Sequence, residues 1–216
     1  MYTGKVRVGG PGDVRELPEL IISKLAVGPY DNNSYLLRCR ETGEQALIDA
    51  AAETDRLLVL TGDTLKTVIT THQHQDHWGS LADVVRATGA TTMAHPIDAP
   101  GIPVPTDVYL EEGSHLQVGK VRLRVIHLIG HTDGSIAFVY DDPEGTAHCW
   151  TGDCLFPGGL GNTWGDTSRF QTLLGGVEEK IFNALPDETW IYPGHGGDTT
   201  LGEQRPHLQE WRERQW

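Results

Sequence analysis

The stretch TTHQHQDHWGS, residues 70–80, determines how this sequence is interpreted. Three histidines and an aspartate fall within six positions, from His72 to His77. The preceding run KTVITT, residues 66–71, is typical of a buried strand. His72 and His74 are two residues apart on extended backbone, so their side chains point to the same side. These two histidines can therefore share one metal ion.

Asp76 and His77 lie where the chain is predicted to turn into a helix. Apolar residues after Asp76 follow helical spacing up to Gly89, which occupies the position of a C-terminal cap, and this predicts a helix of about three turns. Taken singly, Asp76 could be no more than a helix cap and each histidine an ordinary core or surface residue. Without a metal, however, three histidines at this spacing would crowd cations together below neutral pH for no structural gain.

Three further segments repeat one pattern, in which a strand-like run is followed by a glycine and then by a metal-binding residue. RVIHLIGHTDGS provides His131, AHCWTGDCLF provides Asp153 and TWIYPGHGGD provides His195. Strand ends that deliver ligands into loops build a site at one edge of a sheet. The nitrogen and oxygen donors suit zinc and tolerate iron or manganese. Seven ligands exceed the four of a closed zinc site, which indicates two ions, a shared carboxylate and room for water.

The rest of the chain predicts an α/β fold, because strands and helices alternate along it. Strands are predicted at residues 20–27, 34–39, 45–50, 66–71, 91–94, 135–141, 147–151 and 189–192, with a hairpin over 115–129 that turns at Gly119 and Lys120. Further helices are predicted at 53–62, 170–185 and 201–216, the second of them capped by Thr167 or Ser168 and stopped by Pro186. We expect one domain over residues 1–216, with about the first 15 residues as an extended arm.

Composition limits the partners of the protein. The net charge of −13 argues against nucleic acid and anionic membranes, because both would require a basic patch. No apolar run reaches the ~18 residues of a membrane span. Cys39, Cys149 and Cys154 form neither a CxxC pair nor an even disulfide set, as expected in a reducing compartment. A cytoplasmic location is therefore predicted.

Four motifs, in this order, resemble the metallo-β-lactamase fold superfamily, and most of all its glyoxalase II-like (hydroxyacylglutathione hydrolase-like) branch. They are HxHxDH at 72–77, GHTDGS at 130–135, TGDCLF at 151–156 and YPGHG at 192–196. The resemblance implies an αβ/βα sandwich of two mixed β-sheets flanked by helices, with two zinc ions at one edge. It also implies a first metal held by His72, His74 and His131, a second held by Asp76, His77 and His195, and Asp153 bridging them.

The activity that this resemblance implies is hydrolysis of a thioester or ester by a metal-bound hydroxide, with Asp76 both binding metal and orienting the hydroxide. A cysteine-ligand variant of the site would use Cys154 in place of Asp153. A different enzyme class, the persulfide dioxygenases, shares these motifs and has an aspartate where Asp133 stands, with one iron on His72, His131 and Asp153. A lactonase or β-lactamase-like hydrolase and a non-catalytic metal-binding module remain further alternatives.

Substrate contacts are predicted in the glycine-rich segment PGGLGNTWGDTSRF, residues 157–170. This segment follows Asp153 and could present Asn162, Trp164 or Arg169 to the substrate, the alternative being a surface loop with a buried tryptophan. The arginines near the C-terminus favour a solvated helix face over a glutathione site. The predicted partner is therefore a small-molecule thioester or ester of unspecified thiol, and a homodimer is compatible with the sequence.

Overall fold

The computed structural model describes residues 2–215, in which two β-sheets face each other. The first sheet contains β1 (Asp13–Glu16), β2 (Leu20–Val27), β3 (Asn32–Cys39), β4 (Gln45–Ile48), β5 (Leu65–Ile69), β6 (Thr91–Ala94) and β7 (Val108–Tyr109). The second contains β8 (His115–Val118), β9 (Val121–Leu128), β10 (Ser135–Asp141), β11 (Ala147–Gly152), β14 (Trp190–Pro193) and β15 (Thr199–Thr200). A separate small hairpin is formed by β12 (Leu155–Phe156) and β13 (Gly159–Leu160).

Both sheets are mixed. In the first sheet the strands follow chain order, antiparallel from β1 to β4 and parallel from β4 to β7. In the second sheet the order is β15-β14-β11-β10-β9-β8, and β11 runs parallel to β14. Parallel neighbours end at the same edge of a sheet, so the loops after β4 and β5 lie side by side, as do those after β11 and β14.

Helices connect these strands and cover them. The helices are α1 (Thr54–Thr61), α2 (Leu81–Thr88), α3 (Thr167–Val177), α4 (Leu201–Gln204) and α5 (Leu208–Arg214). Short 3₁₀ turns lie at Gln75–His77, Ala99–Gly101 and Arg205–His207, and a π-helical turn at Glu178–Phe182 continues α3. None of the helices within residues 2–215 has both the length and the apolarity needed to cross a bilayer.

Apolar side chains fill three layers. Leu37 of β3 and Phe138 of β10 belong to the layer between the sheets. Leu36, one residue earlier, points the opposite way and packs in the layer that contains Leu57 of α1. On the far side, Leu173 of α3 lies in the layer that covers the second sheet. Helices therefore flank both sheets, and the predicted αβ/βα sandwich is confirmed.

Several predicted strands match the structure residue for residue, including 20–27, 91–94 and 135–141. The predicted hairpin also forms, and its turn places Gly119 at φ 58°. Strand β3 begins two residues earlier than predicted, where the Asn33 N–H donates to the Gly194 carbonyl across to the other sheet at 2.7 Å. Within the predicted N-terminal arm, residues 13–16 pair with β2 as a strand.

The two central helices differ from prediction at their starts. Helix α2 has eight residues rather than three turns, because residues 75–77 form a separate 3₁₀ turn; Gly89 ends it with φ 67°, as predicted. The cap of α3 is Asp166 rather than Thr167 or Ser168, since its carboxylate accepts the Arg169 N–H at 3.0 Å.

Candidate metal centre

The seven predicted ligands come together at the edge where both sheets end. Three groups of side chains each offer donor atoms within 4.8 Å of one another: His72, His74 and His131; His72, His77 and Asp153; Asp76, His77 and His195. The first and third groups are the two sets that the resemblance implies, and they are called here the first half and the second half of the centre.

Donor spacings fit two metal ions. Ligand distances of about 2.0–2.2 Å in a tetrahedral site place ligand atoms about 3.3–3.6 Å apart. In the first half, the Nε2 atoms of His72 and His131 are 3.2 Å apart. In the second half, His195 Nε2 lies 3.2 Å from His77 Nε2 and 3.4 Å from Asp76 Oδ2. Both halves therefore have the dimensions of a compact metal site.

Asp153 lies between the halves. Its Oδ2 is 3.7 Å from His131 Nε2 and 3.3 Å from His195 Nε2, and its Oδ1 is 3.3 Å from His77 Nε2. Oδ1 is buried and accepts no hydrogen bond. A buried carboxylate oxygen without a partner is costly, and a shared cation would satisfy it.

Two glycines allow the backbone to approach Asp153, one at its carboxylate and one at its backbone carbonyl. A Cβ on Gly194 would lie 2.1 Å from Asp153 Oδ1 and 2.9 Å from His77 Cε1. A Cβ on Gly161 would lie 1.7 Å from the Asp153 carbonyl oxygen. Only glycine fits at these positions, so the strand-glycine-ligand pattern has a steric cause at Gly194.

Asp49 orients His77 from behind. Its Oδ2 accepts hydrogen bonds from His77 Nδ1 and Thr71 Oγ1, each at 2.8 Å, and its Oδ1 accepts the Thr71 N–H at 2.8 Å. Asp49 has φ 58°, an uncommon conformation for a non-glycine residue. The bond to Nδ1 leaves Nε2 as the ligand atom and makes the ring a better metal ligand.

Backbone carbonyls orient two of the other histidines. His131 Nδ1 donates to the Asn162 carbonyl at 2.9 Å, and His195 Nδ1 donates to the Tyr30 carbonyl at 2.8 Å. In both rings, Nε2 therefore faces the centre of the cluster.

Burial controls the charge of the first half. Loss of solvent lowers the pKa of His72 well below its usual value, and the neighbouring His77 lowers it further. The pKa values of His74 and His131 are also lowered, chiefly by burial. These rings are neutral at pH 7, and neutral imidazole is the form that binds metals.

Carboxylates control the charge of the second half. Burial alone would lower the pKa of His77, but Asp153 and Asp49 hold it well above its usual value. At His195 burial also acts to lower the pKa, but Asp153 and Asp76 raise it to about 10. The pKa of Asp153 stays well below its usual value, because His77 and His195 outweigh burial. This half therefore stabilises positive charge.

A cleft of about 870 Å³ opens beside the cluster. His74 and Asp76 line it from the metal centre, and Asn162 and Trp164 line it from the glycine-rich segment. Trp164 is 61% exposed, so the alternative of a surface loop with a buried tryptophan does not describe it. Two of the three predicted substrate-binding residues thus border the cleft.

Arg169, the third, does not line the cleft. Its Nε donates to the Gly130 carbonyl at 2.8 Å and its Nη1 pairs with Asp133 Oδ1 at 2.8 Å. The cause is its place in the first turn of α3, which packs against the loop before His131. Arg169 fixes the backbone that carries a ligand, and this is a positioning role.

Cys154 lies outside the three donor groups found within residues 2–215. It is fully buried in the layer under α3, and burial raises the pKa of its thiol. A metal-bound cysteine is a thiolate, which this environment disfavours. The geometry favours Asp153 over Cys154 as the ligand.

Sequence reasoning missed three positioning residues. The first is Asp49, which follows β4 and orients His77. The second is Asn32, whose Nδ2 donates to Asp76 Oδ2 at 2.9 Å. The third is Asp98, which accepts the Gln73 N–H at 2.9 Å and the Thr132 hydroxyl at 2.6 Å. Asp98 thereby joins two ligand loops. A polar residue at a strand end was the available signal for Asp49 and Asn32.

Comparison with known proteins agrees with this geometry. A family model described as the metallo-beta-lactamase superfamily matches residues 27–195. A hydroxyacylglutathione hydrolase of Cereibacter sphaeroides is 34% identical over 169 residues, which cover 76% of this chain and 62% of the relative. The chain therefore spans less than two thirds of that relative's length.

Two solved structures share the fold. One, titled as TTHA1623 in a di-iron-bound form, is 34% identical with a TM-score of 0.71 and covers 84% of this chain and 96% of its own. ETHE1 from Myxococcus xanthus is 28% identical with a TM-score of 0.76, and the match covers 89% of this chain and 84% of that one. With its fold, its ligand cluster and a family match over residues 27–195, the chain belongs to the metallo-beta-lactamase superfamily.

Proposed function

We propose that this protein is a hydrolase that cleaves a thioester or ester bond and uses two metal ions held by the seven ligands. The observation that carries the proposal is Asp153: its carboxylate lies between donors of both halves, and its buried Oδ1 has no hydrogen-bond partner. The similarity to a hydroxyacylglutathione hydrolase supports the thioester as the substrate class.

Zinc is the metal that we propose, because all seven donors are nitrogen or oxygen atoms and zinc favours compact sites of this kind. The same donors accommodate iron or manganese, and a similar solved structure is described as di-iron-bound. When bound, the ions would lower the pKa of a water molecule toward 7 and polarise the substrate carbonyl.

Asp76 is the residue that we propose as catalytic. It borders the cleft, and its Oδ2 lies 3.4 Å from His195 Nε2 while accepting a hydrogen bond from Asn32 Nδ2 at 2.9 Å. Hydrogen bonds and nearby histidines keep its pKa below the usual value despite burial. A carboxylate held ionised in this way can accept a hydrogen bond from the attacking water and orient it toward the substrate.

A panel of substrates tests the proposal. The zinc-loaded protein would be assayed with S-D-lactoylglutathione, other acyl thioesters, lactones and a cephalosporin. We expect thioester turnover that disappears with a chelator and returns with zinc. Turnover of lactones or the cephalosporin alone would transfer the proposal to a lactonase or β-lactamase-like hydrolase, and turnover of none would contradict it.

A persulfide dioxygenase is the second candidate. Its three ligands would be His72, His131 and Asp153, and His131 Nε2 lies 3.2 Å from His72 Nε2 and 3.7 Å from Asp153 Oδ2. Asp133, at the position shared with that class, is held by Arg169 at 2.8 Å. About one iron per chain with oxygen uptake on glutathione persulfide would favour this enzyme over the hydrolase.

A cytoplasmic location belongs to the same proposal. It is supported by Cys39, Cys149 and Cys154, which are all unpaired thiols. Unpaired buried cysteines are usual in a reducing compartment.

A further inference from the structure

We propose that the cleft selects a neutral substrate with an apolar, ring-sized acyl group, and that Trp164 and Tyr30 hold this group above the two halves of the metal centre. The inference rests on the proposed hydrolase function, because it names the substrate class of that site. It is carried by the walls of the cleft and by the two exposed aromatic side chains that border it.

The walls of the cleft are apolar or uncharged apart from the metal ligands. The apolar residues are Pro29, Tyr30, Ala51, Ala52 and Trp164, and the uncharged ones include Asn32 and Asn162. Within residues 2–215, neither lysine nor arginine lines the cleft. A substrate with carboxylates far from the reacting carbonyl, such as a glutathione thioester, would find no cation there and would face a chain of net charge −13.

Trp164 is fixed in an unfavourable place. Its φ is 54°, in the left-handed region that a tryptophan rarely adopts, and its backbone N–H donates to Asn162 Oδ1 at 2.7 Å. The indole stacks on His131 with ring centroids 5.4 Å apart and meets His74 edge-on at 5.3 Å. It nevertheless stays 61% exposed. Left-handed backbone and an exposed indole both cost free energy, and such features are concentrated at ligand sites.

Tyr30 has the matching position beside the second half. Its carbonyl accepts His195 Nδ1 at 2.8 Å, while its side chain is 69% exposed and lines the same cleft. Trp164 contacts ligands of the first half and Tyr30 is joined to a ligand of the second. The two rings therefore border the cleft from different halves of the metal centre, and an apolar group between them would lie next to the carbonyl that is attacked.

Matched thioesters test the preference for a neutral substrate separately from the preference for an apolar acyl group. Phenylacetyl and D-lactoyl groups, each joined to glutathione and to the neutral thiol N-acetylcysteamine, would be assayed with the zinc-loaded protein. We expect kcat/KM for the phenylacetyl group to be about tenfold higher on the neutral thiol than on glutathione. Trp164→Ala should lower kcat/KM for the phenylacetyl thioesters about threefold to tenfold, mainly through KM, and should lower kcat/KM for the lactoyl thioesters less.

Two control variants and a binding assay complete the experiment. Trp164→Phe should keep most of the phenylacetyl preference, and Tyr109→Ala, which removes a 57% exposed tyrosine outside the cleft, should change nothing. Zinc per chain is measured for each variant, because Trp164 touches two proposed ligands. Binding of the phenylacetyl ketone analogue, in which a methylene replaces sulfur, is followed by isothermal titration calorimetry and needs no turnover.

Each outcome has a defined meaning. Equal or better turnover of glutathione thioesters, or equal sensitivity of both acyl groups to Trp164→Ala at constant zinc content, overturns the inference while the hydrolase proposal stands. Trp164-dependent binding of the ketone without turnover of any thioester supports the inference and removes the hydrolase proposal. Failure of the zinc-loaded protein to bind the ketone overturns the inference.

Discussion

The two halves of the metal centre differ in charge and in how they are held. The first half, His72, His74 and His131, consists of histidines whose pKa values are lowered mainly by burial. The second half contains Asp76 and two histidines whose pKa values are raised by carboxylates. The first half thus supplies neutral donors, while the second supplies the negative charge that attracts a cation.

The halves also differ in what orients their rings. Backbone carbonyls fix His131 in the first half and His195 in the second, whereas His77 of the second half is fixed by the side chain of Asp49. A backbone contact survives substitution of the residue that makes it, and a side-chain contact does not. The second half should therefore be the easier one to weaken alone.

Asp153→Ala should weaken metal binding in both halves, because both lose their shared carboxylate. We expect metal content to fall below one ion per chain and thioester hydrolysis to fall at least about 10³-fold, since metal ions supply several kcal/mol of transition-state stabilisation. Elemental analysis and initial rates measure the two effects. Asp141→Ala, an exposed carboxylate at the end of β10, is the control. A variant that retained both metal and activity would refute the bridging role.

Asp49→Asn should weaken the second half more than the first, because Asp49 bonds His77 directly but reaches His72 only through Thr71. The substitution removes the negative charge and one of the two oxygens that accept the hydrogen bonds of His77 Nδ1 and Thr71. Loss of such an outer partner reduces metal affinity about 10–100-fold, and we expect this loss for one of the two zinc equivalents. Calorimetric titration of the metal-free protein resolves them. Asp83→Asn, on the exposed surface of α2, is the control. Equal weakening of both equivalents would show that the halves are not independent.

Arg169→Ala should weaken the first half by a smaller amount. The guanidinium holds the Gly130 carbonyl at 2.8 Å next to His131, but the ring keeps its own bond to the Asn162 carbonyl. We expect about a threefold to tenfold loss of affinity for the other zinc equivalent. The same titration checks it, with Arg86→Ala as a surface control. An effect confined to the second half would contradict the assignment.

His148→Asn should change stability against pH and leave activity unaltered. Burial and the nearby Arg15 lower the pKa of His148 to about 3, against about 6.5 in the unfolded chain. The folded state binds fewer protons between these values, so this contribution to the free energy of unfolding is complete above pH 6.5 and is lost as the pH falls toward 3.

The variant lacks this loss, so the difference in unfolding free energy between wild type and variant should shift by about 2 kcal/mol between pH 7 and pH 5. Urea unfolding at the two pH values measures it. His148 is buried as His72 is, and burial lowers its pKa more than the nearby Arg15 does, so it reports mainly on burial. An unchanged difference would mean that burial does not control these pKa values.

The clustering of the seven candidate ligands was predictable because their signals are local. HxHxDH is contiguous, and His131, Asp153 and His195 each follow a strand and a glycine. The layered fold followed from strands that matched within two residues at either end. The contacts that orient these side chains were not predictable. Asp49 and His77 are 28 residues apart in the sequence, and they meet only because β4 pairs with β5.

Two-residue strands and the side-chain position of Arg169 were also not predictable from the sequence. Strands of two residues, such as β7 and β15, have no periodicity to detect. A substrate contact at Arg169 was predicted from its place in residues 157–170 alone. Arg169 lies in the first turn of α3, and the packing of α3 against the loop before His131 directs its side chain to the Gly130 carbonyl instead. Contacts between distant segments are decided by packing, which sequence spacing does not encode.

The central claim is that the two halves are separate metal positions joined by Asp153. The most direct test is the zinc-to-protein ratio after reloading the metal-free protein and removing excess metal, for wild type and for His195→Ala. We predict two zinc ions in the wild type and one in the variant, which keeps all of the first half. One ion in both proteins would contradict the claim.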